Sequence, residues 1–303
     1  MEKLNQFLEE NAKIYDTETD KERSSEDIVY VYSGDAMDME DVFHFSCVEN
    51  IEPVIVAGEH KSGKTTLEVM MYRLFLEGKN ERFQFAGSRT MKGFRERSEK
   101  ILKKSGVEEP KVPRTPRADK KFLHLAVCEK NGKRKHLVFA DYAGELFAEP
   151  SCLKELGEFF AGISNVVVTL DGEKMCSYNN RSVPISHMNI LLTQMQNAGI
   201  LSQNTYLYIV CTKFDKIKES EKKDSTISFL EEKYAKLKKK FEKTVGKMEL
   251  IYLCAYGIGE REERDKMETL LSSFTEKREK QSMCSPEEQI DVKRQMDKFK
   301  VRG

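Results

Sequence analysis

Apolar residues in this chain gather in short runs of strand length, which alternate with longer stretches where they recur every three to four positions. The runs lie at about Pro53–Ala57, Phe122–Glu129, His136–Asp141, Asn165–Leu170, Thr205–Cys211 and Leu250–Cys254, and they predict six strands. Helical spacing covers Gly63–Leu76, Ile185–Ala198, Lys222–Val245 and Arg261–Lys280. Strands alternating with helices predict an α/β fold: three layers, with about six mostly parallel strands flanked by helices on both faces. One pair departs from this rule. Phe122–Glu129 and His136–Asp141 are separated by Lys130-Asn131-Gly132-Lys133-Arg134, and Asn-Gly is a strong hairpin signal, so these two strands are expected to be antiparallel.

Two regions fall outside the alternation. Residues 1–44 form an N-terminal extension, with a short acidic helical stretch and then a polar run, Asp16 to Asp27, too poor in apolar residues to pack alone. Residues 282–303 form a charged tail containing Ser285-Pro286-Glu287-Glu288, a helix start with proline in the first turn. The expected folded domain is therefore 45–281. Over the whole chain 51 basic and 51 acidic residues balance, so net charge gives no reason to expect wholesale binding of nucleic acid or membrane. The basic stretch Lys233–Lys247 is accompanied by Glu231, Glu232 and Glu242 and reads as a solvated helix face. No apolar run approaches the roughly 18 residues of a membrane span, and Met1-Glu2-Lys3-Leu4-Asn5 lacks a signal-peptide layout, so a cytoplasmic location is expected. The seven cysteines are scattered and never spaced C-x-x-C, which predicts reduced, mostly buried thiols. His44, His124, His136 and His187 have no metal-ligand spacing.

Chemistry enters directly after the first strand. Val54-Ile55-Val56-Ala57 runs into Gly58-Glu59-His60-Lys61-Ser62-Gly63-Lys64-Thr65, which completes the pattern G-x-x-x-x-G-K-[ST] and is followed by a helix. Glycines let the backbone curl so that N–H groups converge on an anion, and the helix adds its positive end. Gly58, His60, Lys61, Ser62, Gly63, Lys64, Thr65 and Thr66 are candidate contacts to a nucleoside triphosphate. Within this set, Lys64 would reach the β- and γ-phosphates and Thr65 would ligate Mg²⁺.

Later strand ends narrow the reading. Asp141-Tyr142-Ala143-Gly144 is a D-x-x-G at the carboxyl end of a strand, where Asp141 can hold Mg²⁺ through water and the Gly144 N–H can meet the γ-phosphate. Thr212-Lys213-Phe214-Asp215 follows the fifth strand as a T-K-x-D. The Asp215 carboxylate can accept from both the ring N1–H and the exocyclic amine of guanine, and the Lys213 stem can lie over the base. After the sixth strand, the backbone N–H of Ala255 in Cys254-Ala255-Tyr256 can meet the guanine carbonyl.

Taken in order, Gly58 to Thr65, Asp141 to Gly144, Thr212 to Asp215 and Cys254-Ala255 resemble the translation-factor and Ras-like P-loop GTPase superfamily. More narrowly, Phe85 to Phe94, Pro113-Arg114-Thr115-Pro116 and Asp141 to Glu145 resemble the bacterial double-GTPase domain, second subfamily, over about residues 51–275. The resemblance implies a P-loop GTPase-like sheet, GTP/GDP and Mg²⁺ as cofactors, and hydrolysis of GTP to GDP and phosphate as a nucleotide-controlled switch. It also implies work beside partner proteins in bacterial conflict systems, with a protein partner or homodimer meeting through the nucleotide face. Relatives carry a switch threonine on Mg²⁺; Thr115 is favoured here over Thr90. Glu145 stands where many relatives carry Gln, and Lys61 where guanylate-binding proteins carry an arginine finger. Glu145, Lys61 and Lys64 are thus the candidate catalytic residues, and Thr65, Thr115 and Asp141 the candidate metal ligands. The alternative is a guanine-nucleotide-dependent scaffold with little hydrolysis.

Overall fold

Seven strands make a single sheet: β1 (Ile51–Gly58), β2 (Phe83–Gly87), β3 (Lys120–Glu129), β4 (Arg134–Tyr142), β5 (Asn165–Asp171), β6 (Tyr206–Thr212) and β7 (Lys247–Tyr252), in the order β2-β3-β4-β1-β5-β6-β7. The computed structural model describes residues 32–76, 78, 82–102, 120–129, 132–160, 163–256 and 260–276. Thr115, Lys130, Asn131 and the 282–303 tail lie outside the described residues. β1 pairs in parallel with β4 and β5, and β5, β6 and β7 continue in parallel. β3 runs antiparallel to β4, as the Asn-Gly turn implies, and β2 is antiparallel to β3. The expected count of six strands is corrected to seven. β2 escapes the pattern because it is a short edge strand with Gln84 and Phe85 exposed, and one buried face over five residues is too little periodicity to read.

The helices, in chain order, are α1 (Met39–Val48), α2 (Lys64–Leu76), α3 (Met91–Leu102), α4 (Pro150–Phe159), α5 (Gly172–Met175), α6 (Ser182–Asn197), α7 (Phe214–Lys218), α8 (Lys223–Phe241) and α9 (Arg261–Thr275). Val54 and Val56 of β1, Val167 of β5 and Val210 of β6 turn to one face and pack into a core with Leu67 and Met70 of α2, Phe94 of α3, and Leu271 and Phe274 of α9. Ile55, Val166 and Val168 alternate to the other face, where α4 and α6 meet each other and α6 meets β5. Continuous burial of β5 from Asn165 to Asp171 is the mark of a parallel strand covered on both faces.

From Ser33 onward the described chain forms one compact unit, and the boundary expected near residue 44 falls inside α1. Asp38 caps α1 by accepting from the Asp41 N–H while the Asp41 carboxylate accepts from the Asp38 N–H, a reciprocal capping box. Val42 and Phe45 of that helix are fully buried. Among the described residues free thiols are found at Cys47, Cys128, Cys152, Cys176, Cys211 and Cys254, and of these only Cys152 and Cys211 are buried, which corrects the expectation of mostly buried thiols; Cys284 lies outside the described residues. Among the described residues no helix is long and apolar enough to cross a membrane.

Phe45 sets its ring edge-on to a stacked pair, His124 and His136, whose ring nitrogens lie 3.1 Å apart. Burial, reinforced by His136, Arg89 and Arg134, pushes His124 from 6.5 down to about 3. The unfolded chain therefore binds a proton here that the folded protein refuses. Stability is full above pH 6.5 and falls as pH drops toward 3, by roughly 2 kcal/mol at pH 5 from this group. Urea unfolding at pH 7 and pH 5 checks this: His124→Gln should flatten the pH dependence, and an unchanged slope would rule His124 out as its source.

Candidate functional site

β1, β4, β5 and β6 all end on one edge of the sheet, the carboxyl edge where open α/β sheets hold ligands. The loop Glu59–Gly63 turns there between β1 and α2. It holds Gly58 at φ +146°, Gly63 at φ +90° and, unusually for a residue with a side chain, Lys61 at φ +63°. Long-range bonds fix this shape. The Ser62 hydroxyl donates to the Glu59 carbonyl at 2.8 Å and lies 2.5 Å from Thr169 Oγ1 at the end of β5, while Thr212 Oγ1 donates to the Ser62 carbonyl at 2.8 Å and the Leu170 carbonyl at 3.0 Å. Thr212 thereby ties the phosphate loop to the segment expected to read the base. Gly144 comes so close beneath that a Cβ on it would lie 2.7 Å from the Gly58 carbonyl oxygen.

Lys64 folds back over the loop, donating from Nζ to the carbonyls of Gly58 at 3.0 Å and Glu59 at 2.8 Å. Burial pushes its ammonium down to about 8, against the pull of Glu68, Glu145, Asp141 and Glu59. Thr65 and Thr66 lie in the first turn of α2, which carries no acidic residue to compete for the helix's positive end. Thr66 is buried and bonds Tyr256, the residue after Ala255. Glu59 turns sideways to Lys174 at 2.7 Å and to His187. Those bonds hold its carboxyl below the usual range although burial opposes them. His60 and Lys61 are exposed on the loop's crest, and Lys61 makes no ion pair among the described residues.

Thr65 Oγ1 lies 3.4 Å from Asp141 Oδ1 at the end of β4, so the two candidate metal ligands are adjacent. They are hard oxygen donors, the chemistry Mg²⁺ takes. Beside them, Glu68 of α2 is 1% exposed, and its carboxylate oxygens meet no fixed donor among the described residues. Burial and the neighbouring Asp141 hold its carboxyl well above the usual range. A buried carboxyl group with no fixed donor among the described residues, beside the hard oxygens of Thr65 and Asp141, fits a cation. Glu145 stands just before a 3₁₀ turn, Leu146–Ala148, without a side-chain capping bond, and near enough to Lys64 to favour its charge.

At the base end, Lys213 adopts φ +50° and donates from Nζ to Asp171 at 2.8 Å and Glu173 at 3.0 Å. Burial works against that ammonium, but the two carboxylates hold its pKa above the usual value. Asp215 follows in the first turn of α7, half-buried, and its carboxylate makes no bond or ion pair among the described residues. The loop after β7 is held from behind: Cys254 N donates to Glu263 Oε2 at 2.7 Å, and Lys218 and Lys266 flank the same buried carboxylate. Ala255 beside it is buried.

Sequence reading missed Glu68, Asp171, Arg97 and Glu263. Glu68 carried one signal, an acid on the otherwise apolar face of a helix at the fourth position after Lys64. The others are placed by contacts 40 or so positions away in the chain, or by a neighbouring helix, and left no local trace.

No curated protein matches the chain. Among solved structures it is similar to the signal recognition particle receptor SRb-GTP/SRX complex from Chaetomium thermophilum, with 15% sequence identity, 74% of this chain and 99% of that one covered, and a TM-score of 0.44. A family model described as Double-GTPase 2 matches residues 52–270, a span that contains the loop after β1, Asp141 to Gly144, Thr212 to Asp215 and Cys254-Ala255. That span takes in most of the sequence and every segment of the candidate site, and the chain belongs to the Double-GTPase 2 family.

Proposed function

We propose that the protein binds Mg²⁺·GTP at the carboxyl edge of its sheet and hydrolyses it to GDP and phosphate, acting as a nucleotide-controlled switch. The observation that carries this reading is the bond from Thr212 to the Ser62 carbonyl, which makes the phosphate loop and the Thr212-Lys213-Phe214-Asp215 segment parts of one rigid site. Lys64, already poised over the loop, takes the β- and γ-phosphates once they replace its bonds to the Gly58 and Glu59 carbonyls. Asp215, with no competing partner among the described residues, accepts from guanine N1–H and the exocyclic amine. Thr65 and Asp141 would hold Mg²⁺, joined by Thr115 from outside the described residues, and the bound ion neutralises charge on the phosphate oxygens. Lys61 on the loop's crest and Glu145 beneath are assigned to the hydrolytic step, as point charge and as water-orienting group. Action beside a protein partner or second copy in a bacterial conflict system, in the cytoplasm, belongs to this proposal on the family resemblance alone.

Calorimetry with a non-hydrolysable GTP analogue, GDP and an ATP analogue in Mg²⁺ tests it. Asp215→Ala should lose about 100-fold in guanine affinity, the worth of two charge-assisted hydrogen bonds, and leave ATP binding unchanged. Equal binding of ATP and GTP, indifferent to Asp215→Ala, would sink the assignment.

A GTP-dependent scaffold with little hydrolysis is a second reading, favoured by one residue. Glu145 puts an anion, with a buried Oε2, where many relatives carry a neutral side chain. Single-turnover hydrolysis over a range of protein concentrations separates the readings, because a finger contributed by a second copy adds roughly 10³ to 10⁵ in rate.

A further inference from the structure

Helix α3 precedes the candidate threonine segment and delivers a cation to the centre of the site. Arg97 Nε donates to Asp141 Oδ2 at 2.6 Å, with the arginine side chain 16% exposed and the aspartate 3%. Its Nη1 donates to the Gly93 carbonyl one turn earlier, at 3.2 Å. The helix is held in place by Phe94, fully buried and stacked on Tyr72 of α2 at 4.7 Å, and by the Gly93 N–H on the Gly34 carbonyl at 3.0 Å. One guanidinium thus faces a pocket of Asp141, Glu68 and the Thr65 hydroxyl.

We propose that Arg97 is the resident counter-ion of the metal site, holding Asp141 until a divalent cation arriving with nucleotide displaces it and so releases α3 from the end of β4. The proposal rests on the nucleotide reading above. Its physical basis is competition for one buried carboxylate. Mg²⁺ demands near-octahedral oxygen coordination, directly or through its own waters, and a carboxylate whose charge is already met by Arg97 on Oδ2 is a poorer partner for that ion than a free one, even on the Oδ1 side that faces Thr65. Two cations drawn to one partly buried carboxylate would repel strongly. A guanidinium does not relieve that repulsion by losing its proton, so it leaves by moving.

Two measurements test this, neither of them catalytic. Manganese titration followed by electron paramagnetic resonance, with Mn²⁺ alone and with a non-hydrolysable GTP analogue, compares wild type with Arg97→Met and Arg97→Lys. Arg97→Met should bind Mn²⁺ about tenfold more tightly, a normal size for coupling between two ligands, with Arg97→Lys between it and wild type. Hydrogen exchange on the wild type is independent of any variant's folding. Amides of 91–102 should exchange faster with the analogue and Mg²⁺ than with the analogue in chelator. Unchanged or weaker Mn²⁺ binding in a folded Arg97→Met protein, or α3 exchange indifferent to the metal, would overturn the role of Arg97. GTP-analogue binding intact in that case would leave the nucleotide reading standing, whereas a wild type that binds no guanine nucleotide would remove both.

Discussion

Lys64→Ala is expected to weaken binding of GTP and GDP by about 100-fold or more, since it deletes a charged donor that makes two hydrogen bonds to the phosphates at roughly 1.5–3 kcal/mol each. The variant should fold. Nζ now bonds two carbonyls at the loop's edge, and its burial already disfavours the charge that the phosphates would restore. That burial gives the prediction a pH signature. With the free-state pKa at about 8, the ammonium is almost fully charged by about pH 7, and as pH rises through 8 phosphate binding must first recover a proton. Wild-type affinity should therefore hold steady up to about pH 7 and decline as pH rises through 8, and the decline should vanish in Lys64→Ala. Calorimetry between pH 7 and pH 9.5 reads both effects. If the alanine variant keeps wild-type affinity, the phosphates do not sit under Lys64.

Gly58→Ala should be the most damaging small substitution in the loop. Gly58 sits at φ +146°, and a Cβ there would lie 2.3 Å from Thr169 Oγ1, 2.7 Å from the Thr169 carbonyl oxygen and 2.8 Å from Ser62 Oγ. One of these is backbone of the inner strand β5 and cannot yield cheaply. Strain and overpacking together should cost about 2–4 kcal/mol, which lowers the melting temperature by roughly 6–12 °C in a domain of this size. Nucleotide binding should fail as well, because the clash pushes on the Ser62–Thr169 contact that shapes the loop. Gly199→Ala is the control: it shares a positive φ, +72°, but nothing lies within 4 Å of its Cβ, so it carries conformational strain alone. Calorimetric melting of both proteins decides, and equal losses would mean the close approach at Gly58 has no weight.

The two predictions mark different kinds of legibility. Lys64 is visible in sequence because a phosphate loop is a local device, written in eight consecutive residues after an apolar run. The crowding around Gly58 is not, because Thr169 lies over a hundred positions away and meets it only when β5 pairs with β1. The missed strand β2 shows the same limit. Its partner β3 begins more than thirty residues later, and the strand itself offers one buried face over five positions.

Periodicity by itself determined the alternating α/β layout, the antiparallel pair at the Asn-Gly turn, and the order of the segments 58–65, 141–144 and 212–215 along the chain, since each depends on neighbours within a few residues. Only the tertiary structure decided which charges stand together. Arg97 on Asp141, Lys213 between Asp171 and Glu173, Glu59 drawn aside by Lys174 and His187, and Glu68 buried with no donor among the described residues are set by how helices settle on the sheet. The physical reason is range: backbone conformation responds to adjacent side chains, whereas the field at a buried carboxylate is fixed by whatever the fold brings within a few ångströms, however distant it is in sequence.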